Sequence, residues 1–328
     1  MLNEPKTLLE AVAFFQNPDN CRAYMVPRRW ANGIVTCPRC GTDRVKFSEK
    51  HNRWQCSSHH ALRQFTLKTG TIMEDSPIGL DKWLPAIWLL ASNRNGISSW
   101  ELHRALGVTQ KTAWFMLQRI RLAMQDDLTG GKLGGEVEVD ESFIGGKARN
   151  MHKSDKRRKG LKGGGPAGKA IVLGILQREG VATPKKIRAT VIPDRAKRVM
   201  QENVEPHVEA GSQVYSDEAG SFWKMDQYEH EIVNHLEAYV NGNAHTNSLE
   251  NFWSLLKRSI GGTYVSVEPF HLFRYVDEQA FRFNNRLPMS DADRFSYLLR
   301  KVVGKRLTYA ELIGKVDERP TEEEVEPF

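Results

Sequence analysis

Residues 136–144 read EVEVDESFI. Val137 and Val139 alternate with Glu138 and Asp140. That period of two predicts a β-strand with one apolar face and one acidic face. Asp140 falls near the strand end, where a site can open. Downstream, KAIVLGILQ (169–177), KIRATVI (186–192) and QVYSD (213–217) read as further strands, and EIVNHL (231–236) as a short one. DRAKRVMQENV (194–204) and HTNSLENFWSLLKRSI (245–260) read as helices, FWKMDQY (222–228) can be helical, and more helix is expected from Phe270 to Asn284. Upstream, TGGKLGGE (129–136) is a glycine-rich linker and marks the main domain boundary.

Two more acids stand out in this frame. Asp217 closes QVYSD as Asp140 nearly closes its own strand, and Glu250 lies in the helical stretch. Crowded carboxylates repel one another and resist ionisation. A pair of Mg²⁺ (or Mn²⁺) ions reverses that cost, takes oxygen ligands, and clamps the attacking and leaving oxygens of a phosphodiester. Two strand-borne aspartates and a helix-borne glutamate therefore point to two-metal phosphoryl transfer. Water as nucleophile gives strand cleavage; a DNA 3′-hydroxyl gives strand joining. Lys257, two helical turns after Glu250, can hold a phosphate or be a solvated lysine. Trp253 reads as core packing, and His245 and Asn247 either line the site or cap the helix. Asp194, between Pro193 and a helical run, reads as an N-cap and is left out of the site. Glu141 and Glu218 fall on the opposite strand face from their aspartate neighbours and rank below them.

The cysteines make a second pattern. Cys37, Cys40, Cys56 and His59 follow C-x2-C-x15-C-x2-H, which lets each pair sit on a tight turn and point at one tetrahedral ion. A structural Zn²⁺ is expected there, with His60 as the alternative last ligand. Cys21 lies outside the spacing and reads as a small buried side chain. A ribbon this small depends on its metal for folding, so zinc removal is expected to unfold it and spare the catalytic core. Paired cysteines without an export signal fit metal in a reducing cytoplasm rather than disulfides. Met1 is followed by LNEPKTLLEAVAFF, which has no cleavage-site pattern, and no apolar run reaches membrane-spanning length.

Leu8, Leu9, Val12, Phe14 and Phe15 predict one short helix followed by a loop within residues 1–30, and IGLDKWLPAIWLLASNR (78–94) predicts a core helix. ISSWELHRAL, the turn GVT and QKTAWFMLQRIR then have the shape of a helix-turn-helix. Gly107 suits the turn and Thr109 the cap of the second helix. Ala113, Leu117, Ile120 and Met124 share an inner face. Gln110, Lys111, Thr112 and Arg119 are expected outside, the first of them at the helix start that meets base edges in the usual docking. The insert 147–169, with Arg157 and Arg158, is basic and glycine-rich; it is expected to be flexible when free and to track a DNA backbone. It lacks the G-x4-G-K-[ST] pattern, so no nucleoside triphosphate site is expected. A net charge of +7 and a pI near 9.2 favour a polyanionic partner.

The words CPRCG, RQFTLKTGTIM, VTQKTAWFMLQRIR, VDESFIGG, VYSDE and HTNSLENFWSLLKR together resemble the ISXO-like insertion-sequence transposases, over residues from about 30 to 265. The resemblance implies a multidomain α+β and α/β chain: a helical leader (1–30), a zinc ribbon (31–76), a helix-turn-helix region (77–130), an RNase H-like mixed sheet flanked by helices (136–290), and a C-terminal helix with an acidic tail (291–328). It implies that Asp140, Asp217 and Glu250 are the metal-binding acids and that Lys257 is the lysine following the last of them. It implies that the ribbon and helical domain recognise terminal inverted repeats, that the catalytic core cleaves DNA at element ends and joins the 3′ ends to target DNA, and that a homodimer or larger assembly forms on DNA in a prokaryotic cytoplasm. The second zinc pair departs from the Cys-x2-Cys common in relatives. An RNase H-like nuclease or resolvase that does not join strands, and a domesticated zinc-ribbon DNA-binding regulator, are the competing readings.

Overall fold

The computed structural model describes residues 4–126, 131–146, 152–158, 168–180, 184–217, 227–233 and 246–315. It divides into two compact units, one of residues 1–92, 98–123 and 291–328, the other of residues 93–97 and 124–290.

The first unit begins with α1 (Leu8–Phe15), whose N-cap Thr7 forms a reciprocal capping box with Glu10. A second helix follows where a loop was expected. Asn17 accepts from the Asp19 N–H at 2.8 Å and Pro18 takes the first helical position, which together start α2 (Pro18–Arg29). The inner face of α1 also differs from the expected one: Ala11 and Phe15 are buried, while Leu9 is 80% exposed. Cys21 is buried as expected. Strands β1 (Val45–Ser48), β2 (Arg53–Cys56) and β3 (Gln64–Phe65) form an antiparallel ribbon in that order. Phe47, Trp54 and Phe65 stand in register across it and pack as one aromatic row, with Trp54 and Phe65 stacked at 5.7 Å. Helix α3 (Leu80–Ser92) is the expected core helix, burying Trp83, Leu84, Ile87, Trp88 and Leu90. Helices α4 (Ser99–Leu106) and α5 (Gln110–Met124) are separated by a turn in which Gly107 adopts a left-handed conformation, φ 60°.

The second unit is built on a five-stranded mixed sheet. Its elements are β4 (Glu136–Ile144), α6 (Lys153–Arg158), β5 (Ala170–Gln177), β6 (Lys186–Ile192), α7 (Lys197–Val204), β7 (Gln213–Asp217), β8 (Glu229–Val233), α8 (Asn247–Arg258) and α9 (Leu272–Asn284). The strand order is β6-β5-β4-β7-β8, antiparallel from β6 to β4 and parallel from β4 to β8, an RNase H-like arrangement. Both faces are covered. Val137, Val139, Leu173, Ile175 and Val214 pack with Val199, Met200 and Val204 of α7. Val172, Leu176 and Ile187 pack beneath Leu249, Phe252, Trp253 and Leu256 of α8 and Val276 and Phe283 of α9. The acidic face of β4 is therefore roofed by α8 rather than open. Two local expectations change. The N-cap of α7 is Ala196, and Asp194 instead accepts from the Ala196 N–H at 2.7 Å in a turn before the helix. Within the basic insert, Lys153–Arg158 is helical where composition predicted free chain. The FWKMDQY stretch lies outside the described residues save its last two.

The chain then returns to the first unit with α10 (Asp291–Lys301) and α11 (Tyr309–Leu312). Phe295 of α10 packs with Phe15, Tyr24 and Trp88, and the Ile72 N–H donates to the Val302 carbonyl at 3.0 Å.

Candidate catalytic face and metal centre

A group able to hold a metal ion lies in the ribbon. The donor atoms of Cys37, Cys40, Cys56 and His60 all fall within 4.8 Å of one another. His60 replaces the expected His59, which is exposed, so the second pair is C-x3-H. Imidazole reaches farther than a thiol, and its Nε2 arrives at the cluster across one more intervening residue. The geometry suits zinc. Tetrahedral Zn–S and Zn–N bonds of about 2.3 and 2.0–2.1 Å imply S···S edges of about 3.8 Å and S···N edges of about 3.5–3.6 Å. Cys40 Sγ lies 3.7 Å from Cys56 Sγ, and Cys37 Sγ lies 3.5 Å from His60 Nε2. His60 Nδ1 donates to the Ala61 carbonyl at 2.7 Å, which leaves Nε2 as the ligating nitrogen. A backbone hydrogen bond from Thr42 draws the Cys40 thiol down to about 7, favouring the thiolate that metal requires. The Cys3His group therefore fits a structural zinc.

The helix-turn-helix residues divide. Thr109 caps α5, accepting from the Thr112 N–H at 3.1 Å. Ala113, Leu117, Ile120 and Met124 are buried as expected. Gln110 donates to Ser99 Oγ at 2.8 Å, Lys111 is exposed with its ammonium 4.6 Å from the Tyr309 ring, and the Thr112 hydroxyl meets that of Thr109 at 2.8 Å. Arg119 is not on the outer face. It is buried and donates to the carbonyls of Leu307 at 3.0 Å and Glu74 at 2.8 Å. The chain after α10 covers this side of α5, which periodicity within one helix cannot reveal. Arg157 is exposed on α6, while the Arg158 side chain lies outside the described residues.

In the second unit, β4 pairs with β7 in parallel from Glu136↔Gln213 to Val139↔Ser216. Asp140 and Asp217 are the next positions along these adjacent strands. The Asp217 side chain lies outside the described residues; its backbone ends β7, in register with Val233. Asp140 is half-buried and accepts from Trp253 Nε1 at 2.8 Å. Glu250 is exposed in the first turn of α8, and Lys257 is exposed in the last. The N-cap position is Thr246, which makes no side-chain cap bond; His245 lies outside the described residues. A cap is supplied from the sheet instead. Glu138, fully buried, accepts from the Leu249 N–H at 3.0 Å and from Arg178 Nε at 2.8 Å. Arg178 also holds Glu136 at 2.8 Å and lies over the Tyr215 ring. Glu141 is ion-paired with Arg195, a structural partnership consistent with its lower rank.

Three residues here escaped the sequence reading. Strand alternation marks Glu138 only as the acid two residues before Asp140, and the helical pattern marks Trp253 only as core. Gly174 stands in register with Asp140, and a Cβ there would lie 2.8 Å from both Leu249 Cδ2 and Trp253 Cζ2. A glycine inside a strand pattern is the available signal of such a close approach.

Residues 132–284 match the ISXO2-like transposase domain, and residues 16–60 match the transposase zinc-ribbon domain. Together the two matches take in more than half of the chain. Residues 132–284 thus resemble the ISXO2-like transposase domain and residues 16–60 a transposase zinc ribbon. The chain is also similar to the "Uncharacterized protein in transposable element ISH50" of Halobacterium salinarum, 27% identical over 242 residues, covering 70% of this chain and 79% of that one. The ISXO2-like domain takes in β4 through α9, hence all three acids, and the ribbon match takes in all four zinc-fitting ligands. Among the described residues no helix is long and apolar enough to cross a membrane.

Proposed function

We propose that this chain is a DNA transposase that binds the terminal inverted repeats of its element, cleaves DNA at the element ends and joins the 3′ ends to target DNA. What supports the reading is that Asp140 and Asp217 are the next positions after the parallel pair Val139↔Ser216 on adjacent strands, and that α8, which bears Glu250, is fastened to β4 through Trp253 and Leu249. Asp140, Asp217 and Glu250 supply the hard oxygen donors that Mg²⁺ takes. When bound, such ions lower the cost of charge on the attacking and leaving oxygens of a phosphodiester. The protein's own part is positioning. Trp253 orients the Asp140 carboxylate, Glu138 fixes the start of α8, and Lys257 two turns on meets a phosphate of the reacting strand.

Gln110, Lys111 and Thr112 at the start of α5 meet base edges, and Arg157 with Arg158 tracks the backbone. Two element ends must be handled together, so the working form is a dimer or larger assembly on DNA inside a prokaryotic cell.

A strand-transfer assay with Mg²⁺ and end oligonucleotides tests the reading. Joined product is expected. Cleavage without joining would mean a nuclease, and binding alone a regulator. Asp217→Asn is expected to abolish joining and leave end binding intact; loss of both in a folded variant would overturn the assignment.

A further inference from the structure

Helix α8 runs on past Arg258 into a π-helical segment, Ser259–Tyr264, with the sequence SIGGTY. Segments of this kind are rare and recur at functional sites. This one is clamped at both ends from α9. The Ser259 hydroxyl donates to Gln279 Oε1 at 3.3 Å, and the Tyr264 hydroxyl donates to Glu278 Oε1. Arg282 bridges the two acceptors, with one nitrogen on Glu278 and the other 3.0 Å from Gln279 Oε1. Glu278, Gln279 and Arg282 are buried, so the clamp is shielded from water. Gly96, φ 79°, makes room for it: a Cβ there would collide with the Tyr264 hydroxyl. Just past the segment, Val265 is 77% exposed at φ 62°, and the Ser266 N–H donates to the Tyr264 carbonyl at 2.6 Å. That is a strained γ-turn for a β-branched residue, and such strain collects at functional sites.

The clamp holds in place two residues for which the described chain has no use. Gly261 and Gly262 are exposed, and neither has the left-handed backbone that calls for glycine. Among the described residues nothing lies within 4 Å of where a Cβ would stand at either. Alanine would fit both positions and favour the helix. Gly261 also extends the exposed row Glu250, Ser254 and Lys257 by about one more turn. Lys257 and Arg258 are exposed beside it, and among the described residues neither has a hydrogen-bond or ion-pair partner.

We infer that Gly261 and Gly262 are a seat for the sugar–phosphate backbone of the reacting DNA strand, with Lys257 and Arg258 holding a phosphate beside it; this rests on the proposal that the chain cuts and joins DNA. Bare backbone lets a strand lie closer than any side chain would permit. The two cations neutralise phosphate without reading sequence, which fits a site that positions rather than recognises. Gly261 shares its face of α8 with Glu250, so a strand that reaches the acids also passes over the seat. A rigid floor keeps that strand in line, which gives the buried clamp from α9 its purpose.

The full-length chain is tested for cleavage of a duplex from the end of its element in Mg²⁺. Gly261→Ala with Gly262→Ala is expected to melt no lower than wild type, because alanine favours the helix. Its cleavage rate at saturating duplex and Mg²⁺ is expected to fall about tenfold or more, because the added methyl groups displace the strand. Lys257→Ala with Arg258→Ala is then compared with wild type on duplexes in which single phosphates near the cleaved bond are replaced by neutral methylphosphonates. At the seated phosphate the replacement should slow wild type about tenfold and this variant no further, since its missing cations are that phosphate's partners. A glycine variant that cleaves like wild type, or melts well below it, would overturn the seat and leave the transposase reading standing. So would replacements that slow both proteins equally at every phosphate. A dimer lost in the glycine variant without DNA would put a second copy of the chain there instead. A wild-type chain that does not cleave would overturn both proposals.

Discussion

The backbone N–H of Leu249 donates to Glu138 Oε2 at 3.0 Å, so a carboxylate of the central strand closes the first turn of the helix that carries Glu250. Helix starts leave unpaired N–H groups, and an anion among them is favoured by the helix dipole. Here the anion is two residues from Asp140 on the same strand. One buried side chain, together with the Trp253–Asp140 bond, thus helps to fix the start of the helix that bears Glu250 against the strand that bears Asp140.

Glu138→Ala should therefore act in two ways. It strips a fully buried carboxylate from Arg178, which keeps Glu136, and it opens the first turn of α8. A loss of about 2–3 kcal/mol is expected, short of the full cost of breaking a buried pair because Arg178 retains a partner. Hydrogen exchange should show the start of α8 losing protection before the rest of the helix. Glu138→Gln, which keeps an acceptor, should restore most of that protection; equal exchange in all three proteins would disprove the capping role.

Trp253→Phe separates packing from orientation. The phenyl ring keeps much of the bulk in the core beneath α8 but removes the N–H that holds Asp140 Oδ2 at 2.8 Å. A hydrogen bond to a charged group contributes about 1.5–3 kcal/mol. The expected result is a Mg²⁺ half-saturation for DNA cleavage raised about tenfold or more, with near-normal rate at saturating Mg²⁺ and unchanged end binding. An unchanged Mg²⁺ requirement would show that Asp140 does not need this donor.

Gly174→Ala tests how closely α8 approaches the sheet. The new methyl would lie 2.8 Å from Leu249 Cδ2 and from Trp253 Cζ2, and both side chains are buried in the core with little room to give way. Overpacking of this kind costs about 1–3 kcal/mol. Because the displaced ring is the one bonded to Asp140, cleavage should fall as well as stability. A variant as stable and active as wild type would mean that α8 rides farther from β5 than the geometry indicates.

Much of this was legible in the chain. EVEVDESFI, KIRATVI and QVYSD are strands with the expected bounds, because their alternation is local and nothing downstream contests it. The inner face of α5 was legible for the same reason. What sequence could not supply were contacts made by distant chain. Arg119 is buried because residues near Leu307 return to cover it, and Glu138 is a cap because a helix more than a hundred residues later begins above it. The second N-terminal helix is a different case: its start signals, Asn17 and Pro18, are local, and a reading by apolar periodicity alone passes over them.

The choice between adjacent histidines gives the last prediction. His60→Ala should lose the zinc, because its Nε2 lies 3.5 Å from Cys37 Sγ and its ring is fixed by Ala61. His59→Ala should keep one zinc per chain, since its side chain is exposed and outside the ligand group. Elemental analysis of the two purified variants decides between them. Structural zinc supplies folding free energy to small ribbons, so the His60 variant, like chelator-treated wild type, should become protease-sensitive around residues 37–65. The RNase H-like unit has its own two-sided core and should resist the same digestion. Zinc retained by His60→Ala and lost by His59→Ala would reverse the assignment.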